Sequence, residues 1–70
     1  MLRPAVVSQI IQSVGYDRTT KMLEVEFRNG WIYEYDDVPG DVYRGLMAAA
    51  SHGRFLHQHI VDVYVTRRTR

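Results

Sequence analysis

Three histidines, His52, His57 and His59, stand close together near the C-terminal end and are the first candidates for metal chemistry. His57 and His59 are two positions apart, which on a helix points them to different faces, whereas usable ligand pairs sit three or four apart. The chain has no cysteine to complete such a site. No metal and no cofactor is expected. No Ser-His-Asp spacing, glycine-rich phosphate loop or paired-carboxylate cleft is visible either, so the chain is not expected to be an enzyme. Recognition of an anion is the chemistry left. Ser51-His52-Gly53-Arg54 reads as a helix start, where free backbone N–H groups, a permissive glycine and a two-pronged guanidinium suit phosphate. Its plain structural reading is a serine cap. Arg44 and the tail Arg67-Arg68-Thr69-Arg70 are the other candidate phosphate contacts, set against the reading of the tail as a solvated, frayed end. Tyr33 and Tyr35 could stack unpaired bases, but so small a domain needs large side chains for its core. Both are expected to be mainly structural, and Glu24, Glu26 and Glu34 beside them oppose a polyanion.

The elements that must position these residues follow from periodicity. Ile10, Val14 and Tyr16 recur at even spacing, which predicts a first strand over 9–16. Lys21 to Arg28 alternates, with Leu23, Val25 and Phe27 on one face and Glu24 and Glu26 on the other, predicting a second strand over 21–28. Asn29-Gly30 then turns the chain into a third strand over 31–36. A two-residue loop would pair Phe27 with Ile32 and turn Trp31, Tyr33 and Tyr35 to the acidic face. A three-residue loop with Gly30 in the left-handed conformation would pair Val25 with Tyr33 and Leu23 with Tyr35. Pattern consistency favours the second, because a one-residue slip moves a whole side-chain set to the opposite face.

Beyond Asp36 the period becomes helical. Pro39, Asp41, Val42, Leu46 and Ala49 predict a helix over 39–49, and Ser51 with Phe55, Leu56 and Ile60 predicts a shorter one over 52–60. Val61, Val63 and Val65 alternate with polar residues and suggest a short C-terminal extended segment on a sheet edge. The expectation is an α+β fold, a three-stranded antiparallel meander with two helices packed on one face. Leu23, Val25, Phe27, Val42, Leu46, Phe55 and Ile60 are its expected core. Residues 1–7 are expected as a flexible N-terminus, 8–65 as a single domain and 66–70 as a basic tail.

Composition sets the limits of what such a chain does. Its 70 residues make one compact domain. A chain of that size buries only about 60% of the surface its unfolded form exposes, leaving no volume for an enclosed active site beside a core. Nine basic residues against eight acidic ones give a net charge of +1, far from the strong excess of a protein dominated by phosphate neutralisation. No signal-like leader and no run approaching about 20 apolar residues is present, so a cytoplasmic, membrane-free monomer is expected.

Ser13-Val14-Gly15-Tyr16-Asp17, Leu23-x-Val25-x-Phe27-x-x-Gly30, Tyr33-x-Tyr35, Val38-Pro39, Val42-Tyr43, Leu46, Ser51-x-Gly53-Arg54-Phe55 and Ile60 together resemble the KTSC domain, over roughly residues 8 to 64. That family takes its name from the C-terminus of some lysyl-tRNA synthetases, also occurs as a free-standing bacterial domain, and carries a central Tyr-x-Tyr motif, here Tyr33-Glu34-Tyr35. His52 stands where lysine is common and His57 where asparagine is common. The resemblance implies a small binding module and, through the synthetases, contact with RNA.

Two functions are therefore expected to compete. In one, Arg44, Ser51, His52, Gly53, Arg54, Arg67, Arg68 and Arg70 contact the phosphates of RNA non-specifically while an aromatic stacks a base. In the other, an exposed sheet edge or the helix surface around Met47 and Leu56 docks another protein.

Overall fold

The computed structural model describes residues 3, 5, 6 and 8–70. The chain runs β1 (Ile11–Asp17), β2 (Met22–Phe27), β3 (Ile32–Tyr35), α1 (Gly40–Ala48), α2 (His52–His59) and β4 (Thr66–Arg68). The strands form one antiparallel sheet in the order β1-β2-β3-β4. It is the expected α+β arrangement with one strand more than the meander predicted.

The first strand departs from its even spacing. A β-bulge between Ile11 and Ser13 inserts one residue, so Ile11 and Val14 share the inner face and Ser13 turns to the other. Ile11 is fully buried, while Ile10, which simple alternation placed with Val14, is 58% exposed. The hairpin between β2 and β3 takes the longer loop. Phe27 N–H donates to the Trp31 carbonyl at 2.8 Å and Gly30 N–H to the Phe27 carbonyl at 2.9 Å. Gly30 has φ +92°, a conformation that costs a residue with a Cβ. Leu23 faces Tyr35 and Val25 faces Tyr33, as expected from the pattern.

Both helices lie on the face that carries Leu23, Val25 and Tyr35, closing a core with Ile11, Val14, Val38, Leu46, Leu56 and Ile60. Phe27, Val42 and Phe55, expected in that core, pack only at its margin. Leu56, expected on a docking surface with Met47, is 3% exposed and belongs to the core. The helices meet closely at Gly45, where a Cβ would come within 2.8 Å of the Phe55 ring. Gly45→Ala should therefore lower stability by up to about 2 kcal/mol, the overpacking cost of about 1–3 kcal/mol less the roughly 1 kcal/mol that alanine adds to a helix. Denaturant unfolding checks it, with Phe55→Leu expected to relieve part of the loss.

The C-terminal part corrects the sequence reading. Ile60 and Val61 N–H groups both bond to the Leu56 carbonyl, ending α2, and Asp62 takes φ +64°, which turns the chain. Residues 61–63 form a turn and Tyr64 a bend, with Val63 and Val65 61% and 69% exposed, so the expected strand does not form over 61–65. The strand comes later, within the tail expected to fray. Arg67 pairs with Glu34 across the sheet and Arg68 with Tyr33. The expected flexible segment 1–7 falls partly on residues 1, 2, 4 and 7, which lie outside those described. Of its other residues, Arg3 bonds Glu24, Ala5 bridges Ser13 and Val6 N–H donates to the Gln12 carbonyl. No helix among the described residues is long and apolar enough to cross a membrane.

Candidate nucleic-acid interface

The alternation that fills the core with Leu23, Val25 and Tyr35 puts Glu24, Glu26 and Glu34 on the sheet's other face. Arginines cover them there. Arg3 bonds Glu24, Arg67 reaches Glu34 at 3.0 Å and Asp36 at 2.6 Å, and Arg70 reaches Glu26 at 2.9 Å. Arg67 holds the Asp36 carboxyl below the usual carboxylate range. Two of the three tail arginines expected to meet a polyanion are thus engaged with the protein's own acids.

Arg68 points the other way. Its guanidinium lies 4.4 Å from the centre of the Trp31 ring, and Trp31, 45% exposed, runs nearly parallel to Tyr33 with ring centres 6.3 Å apart. No helix residue lines the hollow at Trp31 itself, and α2 meets the sheet beside it. A groove of about 610 Å³ opens there, floored by Phe27, Tyr33 and Tyr35 and flanked by Ile10, Leu56 and Arg54. A second hollow of about 400 Å³ shares Ile10, Phe27 and Tyr33 with it and carries the surface on to Trp31 and Arg28. Phe27 and Tyr33 meet edge to face at 5.5 Å, which fixes the floor.

The segment at the start of α2 closes on itself. Ser51 Oγ accepts from Arg54 N–H at 3.3 Å, the cap expected from sequence. His52 donates through Nδ1 to the Leu46 carbonyl at 2.8 Å, tying the two helices together. A Cβ on Gly53 would lie 3.2 Å from Ile10 Cδ1, so the glycine admits a neighbouring side chain. Arg54 alone of this segment offers an uncommitted charge to the groove, and Arg44 lies elsewhere, beside Tyr16 and Tyr43. Trp31 and Arg28 are members of the surface that the sequence did not single out. The signal that marks Trp31 is its place in the hairpin: the three-residue loop sets it on the inner face, beyond the reach of the helices.

Tyr33 and Tyr35 divide the motif between two tasks. Tyr33 is half-buried on the open floor, while Tyr35 is 2% exposed. Burial pushes the Tyr35 phenol up from 10.0 to about 12, with Tyr33 and Asp62 adding to the shift. The folded chain therefore disfavours the phenolate more than the unfolded chain does. Stability should hold below pH 10.0 and fall by roughly 2–3 kcal/mol as pH rises to about 12. Urea unfolding across that window checks it, and Tyr35→Phe should flatten this part of the profile.

A family model described as the KTSC domain matches residues 7–64. The chain belongs to the KTSC domain family. A crystal structure of a KTSC domain protein from Yersinia pestis superposes with a TM-score of 0.94 at 37% identity, covering 99% of this chain and 97% of that one. An uncharacterised protein of Stutzerimonas stutzeri is 43% identical over 58 residues, 83% of this chain and 82% of its own. A lysine–tRNA ligase of Nostoc is 38% identical over 60 residues, which span 86% of this chain and 10% of the ligase. The KTSC domain thus makes up most of one small relative and a tenth of a much larger enzyme.

Proposed function

We propose that this KTSC domain is a non-catalytic module that contacts single-stranded RNA through the open end of its sheet. The observation that carries the proposal is the exposed Trp31, set beside Tyr33 under the Arg68 guanidinium. Aromatic side chains on a small sheet stack unpaired bases, each worth about 1–3 kcal/mol. An exposed cation–π contact is worth about 0.5–1 kcal/mol, so a base can replace Arg68 on the indole at a net gain. The released guanidinium, with Arg54 across the groove, then takes phosphates. Kinship with lysine–tRNA ligases supports a tRNA-associated setting. With a net charge of +1 the binding is weak, in the range of about 10⁻⁴ to 10⁻⁶ M at physiological salt, and indifferent to sequence.

Titration with short single-stranded RNA tests this. Indole fluorescence should quench, the amides of Trp31, Tyr33, Arg54 and Arg68 should move first, and affinity should fall as salt rises. An unchanged indole signal at low salt would overturn the reading. It would favour a protein partner on the same groove, for which the exposed Ile10 at its margin speaks.

A further inference from the structure

The lysine and arginine side chains separate by what they touch. Arg3, Arg67 and Arg70 are in ion pairs, Arg68 lies on Trp31, and Arg28 bonds Gln12 and the Ser8 carbonyl. Among the described residues, Arg18, Lys21, Arg44 and Arg54 have no acidic partner and no side-chain hydrogen bond. Three of those four line one hollow of about 340 Å³, formed by the β1–β2 turn and α1, together with Tyr16, Tyr43 and Gly40. It sits at the opposite end of the sheet from the Asn29-Gly30 hairpin. No acid lines it. Asp17 and Asp41, the nearest carboxylates along the chain, accept from backbone N–H groups, Asp17 from Thr19 and Thr20 and Asp41 from Val42.

The hollow is also rigidly built. Tyr16 and Tyr43 stack at 4.6 Å with their rings 9° apart, and the Tyr16 hydroxyl donates to the Val38 carbonyl at 2.5 Å. Lys21 takes φ +60°, an uncommon conformation for a residue with a side chain. Its N–H bonds the Asp17 carbonyl at 2.7 Å and its own carbonyl accepts from Val38 at 2.9 Å, so the turn is pinned to the start of α1. Arg44 folds back over that first turn, its Nη1 lying 3.2 Å from where a Cβ on Gly40 would stand. Three like charges are thereby gathered around one hollow that no acidic side chain lines.

We propose that Arg18, Lys21 and Arg44 form a binding site for a phosphate monoester. Two guanidinium forks and one compact ammonium suit the oxygens of a dianionic phosphate, and three charges favour it over the single charge of a backbone diester. A nucleotide and the phosphorylated end of an RNA strand both carry that group. The site stands whether or not Trp31 stacks bases.

Titration of the full chain with inorganic phosphate at low salt tests it by amide shifts. The amides of Thr19 to Lys21 and Gly40 to Arg44 should move saturably. Arg44→Gln and Lys21→Gln should each weaken binding by about tenfold, the loss of one charge-assisted contact, with the amide spectrum confirming an unchanged fold. Arg70→Gln, at an ion pair away from the hollow, should leave these shifts unaltered. A nucleoside monophosphate binding where its nucleoside does not would identify a free nucleotide as ligand, and an RNA bound more tightly with a terminal phosphate than without one would identify the strand end. No movement of these amides with phosphate, or equal movement in Arg44→Gln, would overturn the proposal. Neither result would alter the indole signal by which the Trp31 groove is judged.

Discussion

Replacing Leu46 by alanine should lower the unfolding free energy by about 2–5 kcal/mol, the cost of emptying a fully enclosed leucine site. Leu46 is the one side chain of α1 with no exposure, and it packs with Leu23, Val25, Tyr35 and Leu56. A domain of 70 residues has about 3.5–10 kcal/mol of stability in all, so this one truncation removes a large share of it. Urea unfolding at neutral pH measures the change. Phe27→Ala should cost less, at or below the lower end of the same range, because Phe27 packs only at the core's margin. A Leu46→Ala protein that lost less than about 1 kcal/mol would contradict the packing described.

Trp31→Ala should reduce affinity for single-stranded RNA by roughly 5- to 150-fold, the loss of about 1–3 kcal/mol of base stacking. Stability should change little by comparison, since the exposed cation–π contact with Arg68 is worth about 0.5–1 kcal/mol. Arg54→Ala should weaken binding more modestly and equally for all sequences, because phosphate contacts position a strand without reading its bases. Arg67→Ala should have the smallest effect of the three, its guanidinium being held by Glu34 and Asp36. The ranking is the test. If Arg67 proved the most sensitive, the interface would lie on the acid-lined face of the sheet and the groove at Trp31 would lose its role.

How far the sequence spoke for this structure depended on whether a local pattern or a distant partner decided each element. The β2–β3 hairpin was legible because alternation on both sides of Asn29-Gly30 allowed only one register that kept Leu23, Val25 and Tyr35 on one face. The cap at Ser51 was equally local. Ile11 was missed because a bulge interrupts alternation, and nothing in the run Ile10-Ile11-Gln12-Ser13 marks where the extra residue falls. β4 was missed for the opposite reason. Thr66-Arg67-Arg68 has little intrinsic strand character, and its pairing is fixed by Glu34 and Asp36, some thirty positions earlier in the chain. Meanwhile Val61 and Val63 had the strand pattern but fall in the turn that follows α2. The candidate site suffered the same way: Arg44 and Arg54 were noticed as charges, but only the fold shows that Arg44 keeps company with Arg18 and Lys21 and that Arg54 faces an aromatic floor.

The short last strand has a consequence for how these molecules meet one another. A sheet whose outer strand is long, flat and apolar is a template on which a second copy can lay down its own backbone. Here β3, with Ile32, Tyr33 and Tyr35, would be such a template if it stood at the edge. The chain instead finishes its sheet with three exposed residues, two of them arginines. A second molecule approaching that border would have to bring its own guanidinium groups against these and find only three residues to pair with. Arg67, which quiets the acids of the sheet, therefore acts with Arg68 as a bumper along this border, and copies of this small domain that meet there should leave their sheets separate.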